Sequence, residues 1–431
     1  MDKIKIRGGN PLFGKVYISG AKNTALPIIC ATLLSDEPST IRNLPILSDI
    51  KSLNLLLEQI GTKISGIQEE LNGHNTQTFT YHTPKPESLI APYDYVRKMR
   101  ASYYVLGPLL TKYGHVELSL PGGCAIGARP MDIHLTSLEQ MGAHIEIKNG
   151  YVVADVDGRL KGAHITFHSA SVGATCNILM AAVLAEGTTT IENAAKEPEI
   201  ADLINMLSKM GAKIEGADTS TLTIHGVEKL HGVTHEIIND RIEAGSYAVA
   251  AAMTHGRLEL INANPDHLQL PLDILRKTGV KIETTPNSII VDAQNCELNG
   301  VDIYTDYYPG FPTDLQAQFM ALMCVSKGAA MVTESIWENR FMHIPELMRM
   351  GANINVHGHA SAIVRGVEKL SAAPVMSTDL RASFALVLAG LVAEGETIVN
   401  RVYHLDRGYE TLEEKFKAVG ADIERIKESD V

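Results

Sequence analysis

The sequence is short of cysteine, of long apolar runs and of positive charge, and each shortage closes off a class of protein. Five cysteines, Cys30, Cys124, Cys176, Cys296 and Cys324, are scattered over 431 residues with no C-x-x-C pair. That odd, dispersed set offers neither a disulfide framework nor a zinc signature, and it fits reduced thiols in a cytoplasm. The longest apolar runs, 24–34, 176–185 and 384–393, fall well short of the roughly 18 residues of a membrane span. The opening residues, MDKIKIRGGN, lack an apolar signal core, so a cytoplasmic protein with no membrane partner is expected. Lys and Arg number 38 against 50 Asp and Glu, a net charge of -12. This excludes the broad basic face of a general nucleic-acid binder but leaves room for a local basic pocket. There is no Walker loop, no G-x-G-x-x-G after a strand and no H-E-x-x-H spacing, so neither cofactor nor metal is expected.

What is present is repetition. A helical stretch, a glycine and a short β-branched strand recur six times, with glycines at Gly61, Gly142, Gly211, Gly279, Gly351 and Gly420. Their spacings of 81, 69, 68, 72 and 69 divide the chain into six units of about seventy residues. Apolar residues three and four apart mark an amphipathic helix. The glycine stands where a helix C-cap needs positive φ. The alternation after it, as in 143–147, marks a half-buried strand. Between these phrases lies a second kind of helix, apolar nearly all round and therefore buried, as in SVGATCNILMAAVLAEG. Each unit thus holds two helices and several strands. Six units suggest two domains of three, since solenoid repeats are usually shorter.

Polar residues gather where the buried helices begin. Lys22 and Asn23 open the first and Arg100 the second, while Ser171, Val172 and Gly173 open the third. Asp240 and Arg241, then Thr313 and Asp314, then Asp379 and Arg381 open the rest. Helix N-termini carry unpaired N–H groups and partial positive charge, so they suit anions. For the three aspartates, simple N-capping is about as good a reading as ligand duty. The loop PGGCAIGARP, 121–130, places Cys124 among glycines, five residues from Arg129, whose charge would favour the thiolate. Free cysteines are usually buried and inert, which suits Cys30, Cys176 and Cys324 but not Cys124. Glu338 and Arg340 fall on a strand-to-helix connection, and Arg407 lies in HLDRGYE. Arginines so placed would fork onto carboxylate or phosphate.

The segments SGAKNTALP, MRAS, PGGCAIGARPMD, SVGAT, DRIEAG, PGFPTDLQAQF, ENRFMHIPEL, TDLRAS and HLDRGYE resemble those of the bacterial UDP-N-acetylglucosamine enolpyruvyl transferases. The resemblance runs from Ile6 to the last repeat. It implies an α/β fold described as an inside-out α/β barrel: two domains of three repeated units each, with a cleft between them. The boundaries expected here are 22–237 for the domain with the Cys124 loop, and 1–21 with 238–431 for the other.

The resemblance also implies a reaction. Phosphoenolpyruvate gives its enolpyruvyl group to the 3-hydroxyl of UDP-N-acetylglucosamine and phosphate leaves, by addition and elimination through a tetrahedral ketal. This is the first committed step of peptidoglycan synthesis. Cys124 matches the loop cysteine that donates a proton, forms an adduct with phosphoenolpyruvate and is alkylated by fosfomycin; proton donation and product release both remain open as its role. Lys22, Arg129 and Arg407 would hold phosphoenolpyruvate, with Asn23 nearby, and Asp314 would take the sugar hydroxyl's proton. Arg100, Arg129, Pro130, Met131, Asp132, Ile133, Ser171, Val172, Gly173 and Ile336 would bind the UDP-sugar, and Asp379 and Arg381 would line the cleft. The enzyme is expected to act as a monomer. Ser169 and Tyr104 stand where the family has Lys and Trp. The rivals are 5-enolpyruvylshikimate-3-phosphate synthase, which lacks the PGGC loop pattern, and a repeat-built binding scaffold without chemistry.

Overall fold

The computed structural model describes residues 2–71, 73–97, 99–120 and 131–427. The chain forms two compact units. One, the inserted unit, lies within residues 20–238; the other, the terminal unit, takes residues 2–19 and 239–427. The chain passes from one to the other after Ser19 and again after Ile238.

Each unit holds three four-stranded sheets, all six built to one plan. An edge strand runs parallel to the second strand, the second antiparallel to the third, and the third antiparallel to the other edge. In the inserted unit the sheet of His164–Thr166, Thr188–Glu192, Thr221–His225 and Lys213–Glu215 shows the plan with strands taken in one stretch of chain. Apolar residues at alternate positions, such as Leu222 and Ile224, turn one face inward, as the period of two requires.

Two helices serve each sheet. The apolar kind is buried along its length: every residue of Ile242–Met253, of Gln316–Cys324 and of Arg381–Leu391 is buried in the terminal unit. These three helices pack on one another and form the centre of that unit's core. In the inserted unit Val172–Ala182 packs on both Lys22–Ala31 and Leu106–Tyr113, and the three lie in that unit's core. The amphipathic kind, for example Ser48–Ile60 and Pro198–Lys209, buries one stripe only. All six glycines of the repeated phrase adopt positive φ, between 90° and 110°. An L-residue there would crowd Cβ against its carbonyl, which is why glycine ends each helix.

One expectation needs correction. The six units are not six consecutive stretches. Asp2–Arg7 is an inner strand of the last sheet, between Glu396–Asn400 and Asp422–Lys427. Phe13–Tyr17 is the parallel edge beside Arg257–Ile261. Thr234–Glu236 reaches back to pair with Ser39–Leu44, 194 residues earlier at Thr234 and Thr40. A strand satisfies its backbone groups with whatever edge is open, so sequence period alone does not say which strand closes which sheet.

Candidate active site

In the terminal unit the three buried helices start side by side. Gln318, in the first turn of its helix, donates from Nε2 to Ser246 Oγ at 3.1 Å and to the Tyr409 hydroxyl at 3.2 Å. Arg381, in the first turn of the third helix, donates from Nη1 to the same hydroxyl at 3.0 Å. A parallel set of helix starts therefore converges on Tyr409. Asp314 lies at this convergence, in the 3-10 turn Thr313–Leu315 that precedes Gln316–Cys324.

Asp314 receives two guanidiniums. Arg340 Nη2 donates to Oδ1 at 2.8 Å and Arg381 Nη2 to Oδ2 at 2.9 Å. Both arginines are almost wholly enclosed, while Asp314 keeps 26% of its side-chain surface open. Burial pushes the Asp314 carboxyl up, but Arg381 and Arg340 outweigh it and hold the pKa well below the usual carboxylate range. The carboxylate is thus ionised, aimed and partly accessible. Nearby, burial pushes the His343 imidazole down to about 4, with Asp379 opposing and Arg340 reinforcing, so this neighbour is neutral. Arg340 Nη1 also donates to Thr313 Oγ1 at 2.8 Å. The strand-to-helix connection thus brings Arg340 onto the carboxylate.

The capping question divides cleanly. Asp240 accepts from the N–H groups of Ile242 and Glu243 at 2.8 and 3.0 Å, and Asp379 from those of Arg381 and Ala382 at 2.9 and 3.0 Å. Both are N-caps, while Asp314 spends its oxygens on arginines. Ile336 follows the strand Ala329–Thr333 and is half-buried. Arg407 closes the 3-10 turn Val402–Arg407, also half-buried.

In the inserted unit Lys22 opens its helix and pairs with Asp49 at 2.7 Å, both groups enclosed. Asn23 beside it is half-buried. Ser171 caps Val172–Ala182, accepting from the Ala174 N–H at 3.2 Å, with Val172 and Gly173 half-buried in the first turn. A Cβ on Gly173 would lie 2.5 Å from the Tyr103 hydroxyl, so a larger residue there would have to displace the Tyr103 side chain. Arg100 begins the 3-10 turn Arg100–Val105, and its side chain lies outside the description. Met131 precedes Asp132–Gln140, Asp132 is exposed and Ile133 packs on the core. Cys124, Arg129 and Pro130 lie outside the described residues. Among the described residues no cluster of His, Cys, Asp and Glu could hold a metal ion, and no helix is long and apolar enough to cross a membrane.

Residues 6–416 match the family model described as EPSP synthase (3-phosphoshikimate 1-carboxyvinyltransferase). Two curated relatives, from Paramagnetospirillum magneticum and Granulibacter bethesdensis, are both called UDP-N-acetylglucosamine 1-carboxyvinyltransferase. They are 57% and 58% identical to this chain, covering 99% of it and 99% and 100% of themselves. The chain belongs to the enolpyruvyl transferase family. Among solved structures of that fold, the enolpyruvyl transferase NikO from Streptomyces tendae superimposes with a TM-score of 0.86. It is 25% identical, over 98% of both chains. EPSP synthase from Acinetobacter baumannii gives 0.75 at 19% identity, over 99% of this chain and 100% of its own. The fold is the α/β architecture of the enolpyruvyl transferases.

Four residues of this family member escaped the sequence reading. Tyr409, whose hydroxyl accepts from Gln318 and Arg381 and donates to Ser246 Oγ at the helix starts, reads in sequence as part of HLDRGYE only. Asp49, the partner of Lys22, is a first-turn acid of an amphipathic helix and looks like any other. Asn177, in the middle of an apolar helix, binds across to the Gly107 N–H at 2.8 Å and from its own amide to the Tyr103 carbonyl at 2.9 Å. Glu334 did leave a signal. In three units an asparagine with positive φ stands at the end of the second strand, Asn43 within its last two residues and Asn193 and Asn262 just after it. The fifth unit puts a carboxylate at that place.

Proposed function

We propose that this chain transfers the enolpyruvyl group of phosphoenolpyruvate to the 3-hydroxyl of UDP-N-acetylglucosamine, with release of inorganic phosphate. The observation that carries the reading is identity above 50% along the whole chain to transferases named for that reaction. The terminal unit's ionised, arginine-held Asp314 supports it chemically.

In this reading the sugar hydroxyl adds to C2 of phosphoenolpyruvate while C3 takes a proton, giving a tetrahedral ketal. Loss of a proton from C3 then expels phosphate and restores the double bond, so the protons balance. Asp314 accepts the hydroxyl proton as the C–O bond forms, and the Cys124 thiol serves C3. Its low pKa makes Asp314 a weak base at rest; an arginine drawn off by an incoming anion would raise its basicity at the moment of use. Lys22, Arg129 and Arg407 neutralise phosphoenolpyruvate, with Asn23 beside them. Arg100, Arg129 to Ile133, Ser171 to Gly173 and Ile336 receive the UDP-sugar. Arg381, with its cap Asp379, orients Asp314. A cytoplasmic monomer suits both substrates and the reduced thiols.

The test is phosphate release by the purified chain. Release is expected only when phosphoenolpyruvate and UDP-N-acetylglucosamine are both present. Release with shikimate 3-phosphate in place of the UDP-sugar, or none with either acceptor, would contradict the assignment.

A further inference from the structure

Glu334 is a buried carboxylate, 3% exposed, for which no Lys or Arg among the described residues is a direct partner. Burying a charge in this way is costly unless hydrogen bonds repay it. Here they do. Oε1 accepts from the backbone N–H groups of Ile336 at 2.9 Å and Trp337 at 3.1 Å, and from Thr305 Oγ1 at 3.1 Å. Oε2 accepts from Thr313 Oγ1 at 2.9 Å.

The last bond has only one polarity. A carboxylate can only accept, so the Thr313 hydroxyl gives its single proton to Glu334. A guanidinium can only donate, so the same hydroxyl must offer Arg340 a lone pair, which it does at 2.8 Å. Arg340 then has one nitrogen fixed by Thr313 and the other on Asp314. The chain Glu334, Thr313, Arg340, Asp314 runs in one direction with no freedom to reverse.

We infer that Glu334 is a positioning residue for Asp314, acting through Thr313 and Arg340, and that the same carboxylate fixes the loop carrying Ile336. The inference rests on the proposed base role of Asp314. It also accounts for the break in the repeat. Asn43 and Asn193 at the corresponding place only tie down a neighbouring strand, donating to the carbonyls of Ile237 and Phe167.

The test is the pH dependence of kcat in Glu334→Gln. Glutamine keeps the volume but turns one end into a donor, so Thr313 no longer owes its proton to that site, its hydroxyl is free to turn, and Arg340's acceptor is no longer fixed in orientation. Asp314 then keeps Arg381 as its one fixed cation. The other titratable groups around it, Tyr409, Asp240, Asp379 and His343, are unchanged by the substitution. Asp314 loses part of the cationic hold that keeps it ionised, and this outweighs the removal of Glu334's own, more distant negative charge, so the acidic limb of kcat is expected to move to higher pH; Thr313→Val, which leaves the Glu334 charge in place, must move it the same way. At its plateau kcat falls by on the order of 10–100-fold, as for a small misplacement of a reacting group. General loss of folded protein would lower the plateau without moving the limb. A limb left at its wild-type pH overturns the inference, whatever the amplitude. Should Glu334→Gln not fold, Thr313→Val cuts the same relay and must move the limb in the same direction. Wild type inactive with both substrates would instead refute the proposed reaction.

Discussion

Asp314 illustrates how far a single residue can be read before its neighbours are known. By residue pattern alone it is an aspartate near a helix start like Asp240 and Asp379, and only the family resemblance singles it out as a base. The difference is made by Arg340 and Arg381, 26 and 67 residues away, which take both its oxygens. Sequence spacing does not encode that meeting. Two outcomes follow. Asp314→Asn should lower kcat by at least about 100-fold, while the affinity for the UDP-sugar changes little, because a lost base is felt in the transition state. A loss confined to binding would argue for a purely structural carboxylate. Asp314→Ala should also cost about 2–3 kcal/mol in denaturant unfolding, since it leaves two enclosed guanidiniums without their anion. The sign with pH is fixed: the folded pKa lies below the unfolded one, so this stabilisation is full above about pH 4 and fades as pH falls through the folded value.

At the level of elements the sequence was most legible where structure is periodic. Six helix-capping glycines, the buried all-apolar helices and the half-buried strands are one-dimensional patterns and were all visible. Contacts between elements were not. Gly107 is an example: it reads as an ordinary helix residue in VLGPLL, where alanine would favour the helix by about 0.5–1 kcal/mol. Yet a Cβ there would lie 2.3 Å from the backbone carbonyl oxygen of Asn177. The two helices Leu106–Tyr113 and Val172–Ala182 approach through this gap, with the Gly107 N–H on the Asn177 side chain. Gly107→Ala should therefore lower stability by about 1–3 kcal/mol despite its better propensity. A thermal melt shows which effect wins, and a raised melting temperature would disprove the close approach.

For the whole molecule, the repeat count led to an expectation of two domains of three units, while the period gave no hint that the first seventeen residues complete two sheets whose other strands lie in the second half of the chain. The distant pairing of Asp2–Arg7 and Phe13–Tyr17 is a choice among open strand edges, and composition carries no record of it. Function was legible through short motifs whose residues the structure then distributes over both units: Lys22, Asn23 and Ser171 to Gly173 in the inserted unit, Asp314, Ile336, Asp379, Arg381 and Arg407 in the terminal one. The net charge of -12 does not suggest the cations that, in the proposed reaction, would meet anionic substrates. The most direct measurement of that account is the product itself. Incubated with phosphoenolpyruvate and UDP-N-acetylglucosamine, the chain should yield the 3-O-enolpyruvyl ether of the UDP-sugar, seen by mass spectrometry, in equal molar amount to the phosphate released. Phosphate released with the UDP-sugar left unmodified would contradict it.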